Sequence, residues 1–188
     1  METQRLFIAL PLPAEVRDSL VALYEPVRGV HWTRPEQLHL TLCFLGDIEL
    51  PLAGKLESVL SQVSVERFFL PVEGVGVFPS RGPTGVIWAG IGRGHPRLHQ
   101  LRKQIDEILL QTGVPLDVRV FHPHITLARL SRDAPASFAP AFCRHHREFE
   151  GSLLWAEEFQ LYSSELQPAG AVHTLRRSYP LMRPPHMS

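Results

Sequence analysis

Apolar and polar positions along the chain predict strands and helices in a mixed order. Residues 5–12 form an almost continuous apolar run, which is typical of a buried strand. A helix beginning at Pro13 is predicted next, because the apolar residues that follow recur every three or four positions. Its apolar face consists of Val16, Leu20, Leu23 and Tyr24. A second strand is predicted over residues 36–46, ended by Gly46-Asp47.

The middle of the chain continues this mixture of element types. The predicted elements are a helix from Pro51 to about Val63, strands over residues 68–78 and 85–91, and a turn-rich loop over residues 79–84. A longer helix is predicted from about Pro96 to Gln111, with Gly113 as its C-cap. Its apolar stripe consists of Leu98, Leu101, Ile105, Ile108 and Leu109.

The second half of the chain repeats the theme of the first half. Strands are predicted over residues 118–130, 153–163 and 171–179, with a proline-rich segment after the first of them. A strand that carries His-x-Thr-Leu occurs in each half, and no segment has the composition of a domain linker. This faint duplication predicts an α+β fold in which two lobes meet at a cleft.

Composition and charge narrow the class of protein. The chain has 188 residues, 19 basic and 19 acidic side chains, and 44% hydrophobic residues. Such a chain can bury a sizeable core, and it is neither a polycation nor a disordered tail. No apolar run approaches the roughly 18 residues of a membrane helix, and the N-terminus has no signal-peptide pattern. We expect a monomeric cytoplasmic protein that does not contact membranes.

The two cysteines, Cys43 and Cys143, are too few for a disulfide scaffold. A single long-range disulfide is arithmetically possible, but a cytosolic protein is expected to keep two free thiols. Strict alternation along the strand places Cys43 on the same face as His39 and Thr41. It is therefore expected at the cleft, although nothing in the sequence would activate it as a nucleophile.

Three His-x-Thr triplets occur, and their contexts differ. The triplets at His39 and His124 lie within apolar alternating runs, whereas the triplet at His31 is followed by Arg34-Pro35, which should end a strand. Because residues i and i+2 of a strand share a face, His39 and Thr41 should project together, and so should His124 and Thr126. Two imidazoles can act as general base and general acid, and two hydroxyls can hold a phosphate oxygen. This set suits metal-free hydrolysis of a phosphodiester.

With these flanks the chain resembles the 2H phosphoesterase superfamily, and within it the RNA 2′,3′-cyclic phosphodiesterases, also called 2′-5′ RNA ligases of the LigT or ThpR type. The segments that carry the resemblance are Arg5-Leu6-Phe7-Ile8-Ala9-Leu10, Pro35-Glu36-Gln37-Leu38-His39-Leu40-Thr41-Leu42 with Phe44-Leu45-Gly46, and Phe121-His122-Pro123-His124-Ile125-Thr126-Leu127-Ala128-Arg129. The resemblance extends from Arg5 to about Tyr179. It implies one domain over residues 1–188, made of two pseudo-symmetric sheet-plus-helix lobes around a central cleft.

The resemblance also implies a reaction and roles for the motif residues. Terminal 2′,3′-cyclic phosphates of RNA, tRNA halves among them, would be opened to 2′-phosphates without a metal or cofactor, and the reverse reaction would join RNA ends 2′-5′. His39 would be the proton donor and His124 the proton acceptor. Thr41 and Thr126 would bind the substrate. Arg129 is a candidate phosphate ligand, but strict alternation places it on the opposite face unless the strand bulges.

Other chemistry-bearing residues have plainer interpretations. His95 and His99 have a spacing that can bind a metal ion, but without a third ligand a solvated helix face is favoured. Phe44, Phe121 and Trp88 can stack on a base, although a place in the core is favoured for each.

Alternatives to an RNA cyclic phosphodiesterase remain open. A relative could act on small cyclic nucleotides or 2′-5′ oligoadenylates, which a narrow, enclosed cleft would favour. An RNA-binding module without turnover would not need two imidazoles. A metal protein built on the histidines lacks a coherent ligand spacing.

Overall fold

The structure is a computed structural model and describes residues 2–79, 85–92, 95–116, 120–167 and 170–183. These residues form strands and helices in the order β1 Thr3–Pro11, α1 Ala14–Val21, β2 Val30–Trp32, β3 His39–Glu49, α2 Leu50–Val59, β4 Phe68–Leu70, β5 Val75–Phe78, β6 Gly85–Gly90, α3 Pro96–Thr112, β7 His124–Leu130, α4 Phe138–His145, β8 Leu154–Ala156, β9 Glu158–Gln167 and β10 Gly170–Pro180. The mixed α+β class predicted from the pattern is confirmed.

Eight strands form one antiparallel sheet that divides into two lobes. The strand order is β10-β9-β1-β3-β7-β6-β5, and β2 pairs with β7. The two central strands, β3 and β7, share a single ladder pair, Leu40 with Ile125. One lobe therefore contains β10, β9, β1 and β3, and the other contains β7, β6, β5 and β2. The short strands β4 and β8 form a separate two-stranded sheet.

The helices bury their apolar faces against the sheets. The predicted stripe of α3, from Leu98 to Leu109, is buried as a whole. Pro96 occupies the first turn, and Gly113 ends the helix with φ of 81°, a left-handed conformation that glycine adopts without a steric penalty. In the part of the chain that the structure describes, no helix is long and apolar enough to span a bilayer.

Several predicted boundaries were wrong. The strand predicted over residues 36–46 runs from His39 to Glu49, because a 3₁₀ turn over Pro35–Gln37 precedes it. The strand predicted over residues 118–130 begins only at His124, after Pro123, which has no amide proton to give to a ladder. The predicted loop residues 80–84 lie outside the described residues.

Two elements were not predicted. Helix α4, Phe138–His145, occupies the proline-rich segment, because Ala139 and Phe142 give it a short buried face. Strand β2, Val30–Trp32, is only three residues long and shows no alternation of its own. It exists because its backbone pairs with the end of β7.

Candidate active site

The ladder pair between β3 and β7 brings the two His-x-Thr motifs side by side. Leu40 and Ile125, the middle residues of the motifs, are directly paired and completely buried. The strands are antiparallel, so continuing this register by one residue places each histidine opposite the threonine of the other motif. The four polar residues that flank the pair are His39, Thr41, His124 and Thr126. The site thus has an approximate twofold axis through the Leu40–Ile125 pair.

Two cavities adjoin at these motifs. The larger has a volume of about 770 Å³, and its walls include His39, Thr126 and Arg129. The smaller has a volume of about 180 Å³ and contacts His124. Thr41 and Phe44 belong to the walls of both cavities. We call the two cavities together the central cleft.

The His39 imidazole is fixed on two sides. Its Nδ1 lies 2.7 Å from the carbonyl oxygen of Gln37, which belongs to the turn before β3. The Gln37 side chain in turn donates to the carbonyl oxygen of Ala171 in β10, at 2.7 Å. The ring also packs against Phe7, with centroids 4.9 Å apart, and meets His173 edge-on at 5.5 Å.

The His124 imidazole has the same type of support in the other lobe. Its Nδ1 lies 2.6 Å from the carbonyl oxygen of His122, again two residues earlier in the chain. Aromatic rings surround it edge-on: Phe78 at 5.3 Å and Trp88 at 6.3 Å between centroids. In both lobes the histidine is therefore held by the same contact, from Nδ1 to the carbonyl oxygen of the residue two positions earlier.

This hydrogen bond to a backbone carbonyl oxygen fixes the tautomer of both rings. A carbonyl oxygen only accepts hydrogen bonds, so Nδ1 must be the donor in each contact. In the neutral imidazole, Nε2 is then the nitrogen without a proton. Each histidine can thus accept a proton at Nε2, or donate one from the same atom once it is charged.

Burial favours the neutral form of both imidazoles. It lowers the pKa of His39 from 6.5 to about 4, with smaller contributions in the same direction from the charges of His173 and His124. The hydrogen bond to Gln37 opposes this shift. Burial also lowers the pKa of His124, again opposed by its backbone contact. An empty site at neutral pH therefore holds two uncharged imidazoles.

A β-bulge follows each threonine. In β3 the extra residue is Leu42, because β1 pairs with Thr41 and then with Cys43. In β7 it is Leu127, in the corresponding position against β6. The carbonyl oxygen of Leu42 accepts from the Arg102 guanidinium at 2.7 Å, and that of Leu127 accepts from the Thr33 amide at 2.8 Å. Both bulges are therefore hydrogen-bonded features.

The bulges decide where three candidate residues lie. Cys43, expected at the cleft, forms part of the wall of the smaller cavity, although its side chain is only 2% exposed and also packs in the core. Phe44, expected in the core, is 54% exposed and lines the cleft. Arg129, placed on the opposite face by alternation, is exposed and lines the larger cavity with His39. Phe44 and Arg129 occupy corresponding positions, three residues after the threonine of each motif.

The remaining candidates lie elsewhere or have structural roles. His31 is exposed at the rim of the larger cavity, in β2. His95 caps α3 by accepting from the Arg97 amide, and the ring of His99 contacts Phe121. Among the residues that the structure describes, no group of three or more His, Cys, Asp or Glu side chains is placed to hold a metal ion.

Two groups beside His39 were not predicted from the sequence. His173 of β10 lines the larger cavity, and Tyr162 of β9 stacks on Phe7 with centroids 5.1 Å apart. Burial lowers the pKa of His173, and the charge of Arg129 lowers it further. No sequence signal distinguishes these residues, because their strands reach the site only through the long-range pairing of β9 with β1.

Comparisons with known proteins agree with this geometry. The RNA 2′,3′-cyclic phosphodiesterase of Thermus thermophilus is 38% identical over 188 residues, which cover 94% of this chain and 90% of that protein. The apo crystal structure of Escherichia coli LigT matches with a TM-score of 0.77 at 26% identity, covering 97% of this chain and all of that one. The same E. coli protein has also been crystallised with 3′-AMP, at a TM-score of 0.75, 26% identity and the same coverage.

Residues 10–88 and 92–173 match the family described as LigT like phosphoesterase. These segments contain both His-x-Thr motifs and most of the two lobes. The chain therefore belongs to the LigT like phosphoesterase family and is an enzyme with the two-lobed 2H phosphoesterase fold.

Proposed function

We propose that this protein opens RNA 2′,3′-cyclic phosphate ends to 2′-phosphates, using His39 as proton donor and His124 as proton acceptor. The observation that carries the proposal is the Leu40–Ile125 pair, which places the two His-x-Thr motifs side by side on adjacent strands. The names of the relatives, all RNA 2′,3′-cyclic phosphodiesterases, support the same substrate class. We further propose that residues 1–188 form one catalytic domain.

The proton transfers follow from the tautomers. Nε2 of His124 removes a proton from water as the water oxygen attacks phosphorus. The P–O3′ bond breaks, and Nε2 of protonated His39 gives its proton to the departing O3′. One proton enters the ring of His124 and one leaves the ring of His39, so the pair returns to its starting state by exchanging a proton with solvent. No step requires a metal ion.

The phosphate would be held between the two strands. The hydroxyls of Thr41 and Thr126 lie beside it, and each can donate to a nonbridging oxygen. The Arg129 guanidinium, displaced to the cleft face by its bulge, can form a charge-assisted hydrogen bond to the same group. These contacts bind and orient the phosphate while the histidines transfer protons.

The shape and charge of the larger cavity support RNA over a small cyclic nucleotide. The walls of this 770 Å³ space include Arg5 and Arg34 as well as Arg129. Arginine is well suited to phosphate oxygens. Because the cavity lies on the His39 side, an RNA chain placed there would set its terminal O3′ beside the proposed donor.

The same chemistry allows a second outcome. If an RNA 5′-hydroxyl replaces water, the product is a 2′-5′ phosphodiester, and microscopic reversibility then allows its cleavage. We therefore include 2′-5′ ligation in the proposal, with tRNA halves among the possible RNA substrates and a monomer as the acting species.

The test uses an oligoribonucleotide that ends in a 2′,3′-cyclic phosphate. We expect conversion to the 2′-phosphate, identified by ³¹P NMR. His39→Ala and His124→Ala should each lower kcat by on the order of 10²- to 10⁴-fold. His145→Ala, an exposed histidine at the end of α4, is the matched control and should retain full activity. Formation of a 3′-phosphate, or full activity of both motif variants, would contradict the proposal.

A further inference from the structure

Gln37 connects the first His-x-Thr motif to strand β10. It is the last residue of the 3₁₀ turn Pro35–Gln37. Its carbonyl oxygen accepts from Nδ1 of His39 at 2.7 Å. Its side-chain amide donates to the carbonyl oxygen of Ala171, 134 residues later in the chain, also at 2.7 Å. One residue therefore contacts both the histidine and a strand that forms part of the wall of the larger cavity.

Strand pairing does not hold the carbonyl oxygen of Gln37. β1 ends at Pro11, which pairs with His39 and has no amide proton to give to the ladder. The pairing of β3 with β7 is confined to Leu40. Gln37 precedes both of these ladders, so its position must be set by other contacts.

The turn has hydrogen bonds of its own, but they are local. The amides of Gln37 and Leu38 each donate to the carbonyl oxygen three residues earlier, at 2.8 and 3.2 Å. These bonds give the turn its shape without relating it to the rest of the sheet. The side chain of Leu38 is buried and anchors the turn to the core. The bond from Gln37 to Ala171 secures the turn on the side of the cleft.

Strand β10 meets His39 at a second point. The ring of His173 lies edge-on to the His39 ring, with centroids 5.5 Å apart. Ala171 and His173 are two positions apart on β10, and both line the larger cavity together with Gln37 and His39. The same strand thus contacts the imidazole directly and holds the residue that fixes its Nδ1 proton.

The corresponding residue in the other lobe makes a different contact. The carbonyl oxygen of His122 holds His124 in the same way, but the ring of His122 is exposed and meets Phe78 edge-on, with centroids 5.2 Å apart. In the first motif, the hydrogen bond of Gln37 takes the place of this aromatic contact. A hydrogen bond is directional, so it restricts the turn more narrowly than a contact between rings does.

We propose that Gln37 is a positioning residue for the proton donor, because its bond to Ala171 keeps its carbonyl oxygen on the Nδ1 proton of His39. This inference rests on the proposed function, in which His39 protonates O3′. With Nδ1 held, Nε2 is the atom that takes up and gives the transferred proton. Without the bond to Ala171 the turn and the ring can reorient, and a fraction of the neutral rings then carries the proton on Nε2. The direction from Nε2 to O3′ is no longer fixed.

The test replaces Gln37 by methionine, which has a similar length but no hydrogen-bond donor. The ¹⁵N chemical shifts of the His39 ring, recorded at pH 8 where the ring is neutral, report which nitrogen carries the proton. In the wild-type protein Nδ1 should be protonated and Nε2 unprotonated, whereas in Gln37→Met the two shifts should move towards each other. Gln37→Glu should have the same effect at this pH, since an ionised carboxylate cannot donate. The His124 ring should not change. Gln62→Met, at the exposed end of the 3₁₀ turn Leu60–Gln62, is the matched control and should leave both rings unchanged.

Turnover separates positioning from substrate binding. With an RNA 2′,3′-cyclic phosphate end, Gln37→Met should lower kcat on the order of tenfold, because a misaligned proton donor slows the reaction of bound substrate. The Kd of adenosine 2′-phosphate, measured by calorimetry, should stay unchanged. A weaker Kd that accounts for the whole loss would make Gln37 a substrate contact and overturn the proposal, and so would unchanged ¹⁵N shifts in both Gln37 variants.

Failure of the proposed function would give a different result. Full kcat in Gln37→Met beside an active wild-type enzyme would refute the positioning role and leave the hydrolytic function intact. A wild-type protein that forms no 2′-phosphate would refute the proposed function, and the role of Gln37 in catalysis with it.

Discussion

Binding of a phosphate in the central cleft should raise the pKa of His39 by about three units. Burial holds the pKa of this imidazole at about 4 in the empty site. A unit negative charge roughly 4 Å from the ring attracts the imidazolium by about 4 kcal/mol at an effective dielectric constant of about 20. One pKa unit corresponds to about 1.36 kcal/mol, so the pKa should rise to about 7. The substrate would thus create the acid that protonates its own leaving oxygen.

The pH dependence of the rate should show this change. With a pKa of about 4, roughly one His39 ring in a thousand is protonated at pH 7 in the free enzyme. The productive state has one proton on the histidine pair, held by His39. The pKa of His124 is also lowered, so His124 is deprotonated at a pH below the ordinary pKa of an imidazole. The kcat/KM profile reports the free enzyme and should fall as pH rises through neutrality. The kcat profile reports the complex and should stay high to a higher pH.

The direct assay is an NMR titration of the His39 ring Cε1–H group. It is recorded for the free protein and at saturation with adenosine 2′-phosphate, which carries one to two negative charges in this range. The exposed His145 ring provides an internal reference that should not respond. A free-protein pKa near 6.5, or a ligand-induced change below half a unit, would refute the reasoning.

Three further changes have expected outcomes. Arg129→Ala should weaken binding of adenosine 2′-phosphate on the order of tenfold or more, as calorimetry can measure, with partial recovery in Arg129→Lys; unchanged affinity would remove Arg129 from the site. Because the folded-state pKa of His39 lies below the unfolded value, stability should fall as pH drops from 6.5 towards 4. His39→Gln should reduce that loss by up to about 3 kcal/mol in urea unfolding, and an unaltered pH dependence would contradict it. Leu40→Ala removes a fully buried side chain where the lobes join and should cost about 2–5 kcal/mol, whereas a smaller loss would mean that the junction repacks.

A metal chelator should not affect turnover. The proposed proton transfers use only the two imidazoles, so hydrolysis of a cyclic phosphate end should continue at the same rate in excess EDTA. Loss of activity with rescue by a divalent ion, followed in the same assay, would require a different mechanism.

Where a local pattern determines the structure, the sequence was sufficient. Helix α3 was predicted from its apolar period and Gly113, and its whole stripe is buried. Alternation within each His-x-Thr motif predicted that His39 and Thr41 share a face, and both line the larger cavity. These predictions depend only on residues within a few positions of each other.

The errors come from interactions that one strand does not encode. Nothing in the order Thr-Leu-Cys-Phe shows that Leu42 bulges, because the bulge is defined by pairing with β1. The sequence therefore did not show that Phe44 is the more exposed of the two at the cleft, with 54% exposure against 2% for Cys43. His173 was missed for a related reason, since β10 approaches His39 only after β9 has paired with β1. Long-range pairing, rather than side-chain type, decides these positions.

The bulges after Thr41 and Thr126 also set the distance along the strand from each threonine to the next side chain that points into the cleft. Each bulge adds one residue, and the next side chain that points outward still lies on the cleft face. The bulge therefore adds roughly 3.3 Å along the strand between the threonine and that side chain. Deleting Leu127 would keep Arg129 on the cleft face but bring its backbone one step closer to the Thr126 hydroxyl. Deleting Leu42 would do the same for Phe44. The reach of the guanidinium and of the ring can therefore be adjusted independently in the two halves, by changing chain length rather than by replacing a side chain.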